Sequence, residues 1–304
     1  MKKKILGIVG PTASGKTALS LPLARQLSGH ILCMDSMQVY THMDIGTAKP
    51  TQAEQAMAPH HLLDIASPLE SFTVSQYAAM ARPLMDTLPC PILVGGTGLY
   101  LQAVSQSMAF GQVGSDDAIR EKYHALAEAE GNRAVHRILE QVDPTTAARL
   151  HENDLRRVIR AIEVYELTGI PLSLQPQPKE DDEPYRFFLY AYDIPRPVMY
   201  DRCDKRVDVM IRDGLADEVK NLLSMGVTEE HPAMQGLGYK EIIPYLKGHL
   251  SLEEAVSLIK LRTRHFAKRQ MTWFRRDQRI QWLPWEESPE THIARIISDY
   301  QSED

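Results

Sequence analysis

Eight residues near the start of the chain, Gly10-Pro11-Thr12-Ala13-Ser14-Gly15-Lys16-Thr17, have the spacing G-x-x-x-x-G-K-[ST]. The glycines let backbone N–H groups turn inward around phosphate oxygens, Lys16 adds a point charge, and the Thr17 hydroxyl can meet Mg²⁺. Gly10, Thr12, Ala13, Ser14, Gly15, Lys16 and Thr17 are therefore candidate ligands of a diphosphate or triphosphate, with Thr17 the candidate Mg²⁺ ligand. Alone, the loop fits ATP or GTP as well as any other compound carrying such a group. Which bond is broken must be decided by residues elsewhere, and Asp35 and Thr97, each placed just after an apolar run, are the first candidates. Asp35 has two credible chemical roles, a Mg²⁺ ligand of the Walker-B kind or a carboxylate that takes a proton from a nucleophile, and a blander alternative, a side chain that merely caps a turn.

Positioning such a loop takes a strand before it and a helix after it. Residues 4–9 read as a buried parallel strand, and 16–27 carry the apolar spacing of a helix. Similar strands are expected at 30–34, ending in Asp35, at 91–94, ending in Gly95-Gly96-Thr97, and at 186–192. The alternation implies an α/β fold with a doubly wound parallel sheet, in which ligands collect at the carboxyl ends of the strands.

Between about Gly111 and Pro184 no strand is expected. Residues 116–130, 132–142 and 153–168 read as helices, and a Pro-rich, acidic stretch, 175–184, follows. This predicts a catalytic core over 1–110 and 185–304, interrupted by a helical insertion over 111–184. Beyond it, 196–225 reads as one long amphipathic stretch closed by Gly226. Ser251 and Glu254 form a capping box opening a helix that runs to about Arg276.

The 304 residues are 43% hydrophobic and 24% charged with a net charge of −6, an ordinary globular composition with no apolar run long enough to cross a bilayer. That balance argues against a membrane protein and against a surface coated in positive potential, so any nucleic-acid contact must be a local patch. Cys33, Cys90 and Cys203 lie far apart and form no C-x-x-C pair, which points to a reducing, cytoplasmic compartment rather than to disulfides. The basic start followed by a short apolar run cut at Gly10-Pro11 reads as a first strand rather than a signal peptide. His60-His61 invites a metal reading, but adjacent side chains point apart and no nearby His or Cys completes a zinc set. Packing or hydrogen bonding is their expected role.

Taken in order, further motifs join the loop. They are Asp35-Ser36-Met37-Gln38-Val39-Tyr40, Met43-Asp44-Ile45-Gly46-Thr47-Ala48-Lys49-Pro50, His60-His61-Leu62-Leu63-Asp64 and Gly95-Gly96-Thr97-Gly98-Leu99-Tyr100 in the first third. Leu155-Arg156-Arg157-Val158-Ile159-Arg160-Ala161-Ile162-Glu163-Val164, Gly236-Leu237-Gly238-Tyr239-Lys240-Glu241 and Lys268-Arg269-Gln270-Met271-Thr272-Trp273-Phe274-Arg275-Arg276 follow. From the first strand to about Arg279 the chain resembles the tRNA dimethylallyltransferases. The resemblance implies that the loop holds dimethylallyl diphosphate, and that the dimethylallyl group moves to the N6 amine of the adenosine immediately 3′ of the anticodon. It implies Mg²⁺ as cofactor, Asp35 as general base, Thr97 beside the breaking bond, and Arg206 as a helix arginine reaching the diphosphate.

For RNA, the resemblance implies that Asp35, Ser36, Met37, Gln38 and Thr97 surround a base flipped out of its loop. It implies further tRNA contacts from Arg120, Arg156, Arg157, Val158, Ile159 and Arg160, from Gln235, Gly236, Leu237, Gly238, Tyr239 and Lys240, and from Lys268, Arg269, Gln270, Thr272, Trp273 and Arg275. The residues alone leave a blander alternative for the insertion. Leu155, Val158, Ile162 and Tyr165 fall at core spacing, and the arginines opposite them could be a solvated face with Arg160 and Glu163 paired. The most basic stretch, Lys260, Arg262, Arg264, Lys268, Arg269, Arg275, Arg276 and Arg279, is interleaved with His265, Phe266, Trp273 and Phe274. That mixture suits single-stranded RNA, with some of the aromatics in the core.

Three rivals share parts of this pattern. A P-loop kinase or ATPase would hydrolyse ATP but leaves the insertion and the basic helix without a purpose. An isopentenyltransferase acting on a free nucleotide would lack both. A non-catalytic RNA-binding module would not need Lys16, Thr17, Asp35 and Thr97 together. The expected partners are tRNA, through its anticodon stem-loop, and dimethylallyl diphosphate; a monomer is expected.

Overall fold

Lys3–Val9, apolar and buried from Ile5 onward, forms β1 at the middle of a six-stranded sheet. In this computed structural model, which describes residues 2–105, 113–175 and 184–302, every strand pairing is parallel. The strand order is β3-β2-β4-β1-β5-β6, with β2 at His30–Cys33, β3 at His60–His61, β4 at Pro91–Gly95, β5 at Tyr185–Asp193 and β6 at Ile280–Pro284. The strands are short and apolar because both faces of a parallel sheet are covered. Helices α1 (Lys16–Leu27), α2 (Gln52–Met57), α3 (Val74–Thr87) and α4 (Gly98–Ser105) alternate with the first four strands. The expected α/β class holds, and β3 and β6 are strands the sequence reading did not anticipate.

Contacts divide the chain into two units, Met1–Ser105 with Glu183–Asp304, and Gln106–Asp182. The second is helical in its described part: α5 (Asp117–Glu130), α6 (Asn132–Val142), α7 (Pro144–Ala147) and α8 (Leu155–Thr168). Its core gathers Tyr123, Val135, Leu139, Val158, Ile159 and Ile162. The acidic, Pro-rich return stretch lies for residues 176–183 outside the described residues, as does the expected boundary at 110/111.

After β5 come α9 (Arg196–Arg212), α10 (Leu215–Ser224), α11 (Tyr239–Leu246), α12 (Leu252–Phe274) and, beyond β6, α13 (Pro289–Gln301). The stretch 196–225, expected as one helix, is broken at Asp213-Gly214, where Gly214 takes a φ of +103° that L residues avoid. The break turns α10 back so that Leu215, Val219 and Leu222 pack with Tyr239, Ile242 and Ile259. The capping box is present, with Ser251 Oγ accepting from the Glu254 amide and Glu254 Oε2 accepting from the Ser251 amide. No described helix is long and apolar enough to cross a membrane.

Two contacts tie the ends of these elements together. Gly95 has no room for a side chain, since a Cβ would lie 2.0 Å from the Met34 carbonyl oxygen; the close approach lets the Thr97 amide donate to that oxygen at 3.2 Å. Arg279 donates to Ser105 Oγ at 3.2 Å and lies over the Phe187 ring, 5.6 Å from its centroid. One guanidinium thus touches the end of α4 and the start of β5.

Candidate active site

The loop between β1 and α1 curls because Gly10, Ala13 and Gly15 take φ values of 137°, 62° and 92°. Lys16 folds back over it, donating to the carbonyls of Gly10 at 3.1 Å and Pro11 at 2.7 Å. Burial pulls the Lys16 ammonium down to about 8, the Arg206 guanidinium adds to the fall, and the Asp35 carboxylate opposes it. Burial likewise lowers Arg206, again against the pull of Asp35. Two cations and one carboxylate from three elements therefore share one partly dry space, where fields act more strongly than in water. Such a surplus of positive charge favours a polyanion.

Ser14 Oγ is buried in the loop with no hydrogen-bond partner among the described residues, so it is available to a bound oxygen. No group of three or more His, Cys, Asp or Glu able to hold a metal exists among the described residues. Mg²⁺, however, commonly keeps its waters and binds through substrate phosphates with only one or two protein groups. The exposed Thr17, at the start of α1, fits that mode.

Asp35 follows β2. Its Oδ1 accepts from the Met37 amide at 2.9 Å and the Gln38 amide at 3.4 Å, while no hydrogen bond to Oδ2 is found among the described residues. The carboxylate is thus fixed in direction with one oxygen free. Beside it, Thr97 Oγ1 accepts from the Ser36 amide at 3.1 Å. Gln38 spans inward: its Nε2 donates to the carbonyls of Thr47 and Ala48, both at 3.1 Å, and its Oε1 accepts from the Cys33 thiol. Arg206 donates to the same Thr47 carbonyl at 3.1 Å. The 43–50 segment so held is pinned below by the buried Lys49, whose ammonium meets Asp44 and Asp64 at 2.5 Å each. Glu218 accepts from the amides of Asp44, Ile45 and Gly46.

The 236–240 segment reaches this site as packing. A Cβ at Gly236 would lie 2.8 Å from Met37 Sδ, and Tyr239, fully buried, crosses Gly46 and donates to Glu218 at 2.6 Å. Gly238 caps α11, Gln235 donates to the Glu229 carbonyl, and Leu237 and Lys240 stay half-exposed. Tyr239 therefore supports the wall rather than presenting a surface.

Sequence reasoning missed Arg202. One turn before Arg206 on α9, it donates from Nε to the Ala13 carbonyl at 2.7 Å, and its guanidinium lies 5.4 Å from the centroid of Trp285. The i, i+4 spacing from Arg206 was the available signal.

The basic helix resolves into two populations. Lys260 pairs with Asp208, Arg262 with Glu241, Arg264 with both oxygens of Asp204, Arg275 with Asp193 while stacking on Trp282, and Arg279 with Asp277. Lys268, Arg269 and Arg276 have no carboxylate partner among the described residues. They line, with His265, Thr272 and Trp273, a cavity of about 440 Å³. Phe266 and Trp273 are more than a third exposed whereas Phe274 is buried, so the aromatics divide as anticipated. Arg275 is committed to Asp193 and Trp282, and Gln270 is a clear departure from the RNA-facing placement: it is buried and both ends of its amide are taken by protein.

In the helical unit, Val158 and Ile159 are core residues, so their side chains are not available to RNA. Arg120 and Arg160 serve the buried Glu163, at 2.9 and 2.6 Å. Arg160 also donates to the carbonyls of Val113 and Gly114. Arg156 and Arg157 are exposed, Arg157 pairing only with the half-exposed Asp154. The blander reading of this helix thus holds for Arg160, and two of its arginines remain on the surface. His60 and His61 belong to a sheet edge, where His61 Nε2 lies 3.0 Å from His30 Nδ1.

The IPP transferase family model matches residues 38–277, and an isopentenyl transferase model matches residues 3–72. A tRNA dimethylallyltransferase of Carboxydothermus hydrogenoformans is 46% identical over 98% of each chain. The crystal structure of the full-length tRNA isopentenylpyrophosphate transferase of Bacillus halodurans superposes with a TM-score of 0.73 at 40% identity, covering 98% of this chain and 97% of that one. A eukaryotic dimethylallyltransferase captured acting on tRNA superposes with a TM-score of 0.81 at 28% identity, covering 98% of this chain and 79% of that one. The chain belongs to the IPP transferase family, the tRNA dimethylallyltransferases.

Proposed function

We propose that this enzyme transfers the dimethylallyl group of dimethylallyl diphosphate to the N6 amine of the adenosine immediately 3′ of the anticodon in tRNA. The observation that carries the reading is the Asp35 carboxylate, anchored through one oxygen, with the other free, in the same field as Lys16 and Arg206.

In this reading the loop amides, the Ser14 hydroxyl, Lys16, Arg206 and Arg202 hold the diphosphate. The N6 lone pair forms the new bond to the allylic carbon as the carbon–oxygen bond breaks, and that electron pair leaves with the diphosphate. Stabilising the charge on the departing group is the main electrostatic task. As nitrogen becomes cationic its proton passes to Asp35 Oδ2, a base of low intrinsic strength that is effective only in direct contact with the amine. Mg²⁺, held by Thr17 and the diphosphate oxygens, would supply further charge neutralisation. Thr97 and Ser36 fix the turn that carries Asp35, and the base is flipped from its stack to reach it. Lys268, Arg269 and Arg276, with Arg156 and Arg157, supply phosphate contacts.

The test combines purified protein, Mg²⁺, dimethylallyl diphosphate and a tRNA bearing adenosine 3′ of its anticodon, followed by mass analysis of that nucleoside. An isopentenyl mass gain is expected there; ATP hydrolysis with no gain would replace this reading with the kinase or ATPase one.

A further inference from the structure

Gln270 is an amide hidden in the largely apolar stripe of α12. That stripe otherwise contains Ala255, Ile259, Thr263, Ala267 and Phe274, and an uncompensated amide there would be costly. Both ends of its amide are engaged, and by two different loops: Oε1 accepts from the Thr12 amide at 2.9 Å, and Nε2 donates to the Gly96 carbonyl at 2.8 Å. Thr12 belongs to the loop read as the diphosphate cradle, and Gly96 is joined by one peptide bond to Thr97. A side chain at Gly96 would displace this amide, because a Cβ would fall 2.4 Å from Gln270 Nε2 and 3.2 Å from the Gly10 carbonyl oxygen. Neither loop bonds the other through side chains of its own here. The β1–β4 ladder, which pairs Val9 with Gly95, brings the roots of the two loops together, and beyond it the Gln270 side chain links them from a third element.

That third element also carries the unpaired cations. Lys268 and Arg269 precede Gln270 directly, and Trp273, three residues on, packs where a Cβ of Gly98 would lie 2.2 Å from its Cδ1. We infer that Gln270 is a positioning residue that holds the donor loop at Thr12 in register with the acceptor-side turn at Gly96-Thr97. A shift of about 1 Å between reacting groups costs on the order of 10²-fold in rate, which is why a fixed spacer between the two loops matters to turnover and not only to folding. This inference rests on the reading of the two loops given under Proposed function.

The test uses Gln270→Glu in the full chain. Ionised, the introduced carboxylate still accepts from Thr12 but opposes the Gly96 carbonyl; protonated, it offers one acceptor and one donor and so reproduces the amide. Two quantities are read relative to wild type between pH 8 and pH 6: kcat for prenyl transfer, and affinity for inorganic diphosphate measured without RNA. At pH 8 the variant is expected to lose at least tenfold in kcat and about fivefold in diphosphate affinity, with the KM for tRNA within twofold. Position 270 is buried, and burial beside the Gly96 carbonyl raises the introduced carboxyl well above its ordinary value of about 4.3, so both ratios are expected to recover as pH falls to 6. Losses below twofold at pH 8, or losses that do not recover with acid, would overturn the assignment. A purely structural role would lower the melting temperature and both kinetic constants together, with no pH-dependent rescue. If wild type failed to prenylate RNA the reading of the reaction would fall, while the diphosphate arm would still decide whether Gln270 sets the donor loop.

Discussion

Arg160 donates at 2.6 Å to Glu163, a carboxylate with no exposed side-chain surface that also accepts from Arg120 and from the Asp116 amide. Burial alone would raise the Glu163 carboxyl, but the Arg160 bond, the Asp116 amide and Arg120 outweigh it and hold it below its ordinary 4.5. A group lowered on folding contributes stability that is complete above its unfolded pKa and is lost as pH falls through the folded one. Glu163→Gln is therefore expected to destabilise the helical unit by about 2–4 kcal/mol at pH 7, the usual cost of breaking a buried pair reduced because both arginines are more than a third exposed. Denaturant unfolding should show the difference between variant and wild type shrinking below pH 4.5.

Asp35→Asn keeps an oxygen for the Met37 amide but cannot take a proton. Turnover should fall about 10²–10⁴-fold, while affinity for the diphosphate changes little. Single-turnover kinetics beside direct binding measurements separate the two. A variant that instead lost Mg²⁺ binding with turnover restored by excess metal would make Asp35 a metal ligand.

Lys16, pulled down to about 8 by burial and by Arg206, should be charged below that pH and progressively neutral above it. Affinity for dimethylallyl diphosphate is therefore expected to decline between pH 8 and 10, and binding near pH 8 to take up protons, visible as a buffer-dependent heat in calorimetry. Without ligand the sign reverses. Between 8 and the ordinary 10.5 the unfolded chain holds the proton that the folded one has released, so this group's contribution to stability rises with pH. Lys16→Met should abolish both pH dependences.

The pairing pattern on α12 separates recognition from architecture. Lys268→Gln, Arg269→Gln and Arg276→Gln should each weaken tRNA binding and reduce the slope of log affinity against log salt by about 1. Arg264→Gln, which frees Asp204, should lower the melting temperature and leave that slope nearly unchanged. Filter binding across a KCl series, run beside thermal unfolding, checks both.

What the sequence made legible follows from how local its signals are. β1, the glycine loop and α1 are contiguous, so apolar run, turn chemistry and helical period can all be read in one window of residues 3–27. Asp35 and Thr97 were found because each ends an apolar run, a rule of position in parallel sheets. The Gly214 break was hidden because α9 and α10 are each amphipathic and a lone glycine is tolerated inside a helix pattern. β6 was hidden because its run is short, broken by Gln281 and closed by Pro284, and its identity depends on pairing with β5 far away. Gln270 and Arg275 sat in a basic, polar segment whose composition suggested RNA. Only the partners at Thr12 and Gly96, distant in sequence, show that Gln270 faces protein, while the exposed Arg275 pairs with Asp193.

The Arg279 contact with Ser105 and Phe187 bears on the architecture of the whole chain. The polypeptide leaves the sheet after α4 and resumes it at β5, and both points are held by a single guanidinium. The intervening stretch is a detour fastened at its neck. Closing a longer detour costs little, about 0.6 kcal/mol for each doubling of its length, so the neck insulates strand order from whatever is threaded through it. A module of different size could be spliced between residues 105 and 185 while the sheet went on folding around the same six strands.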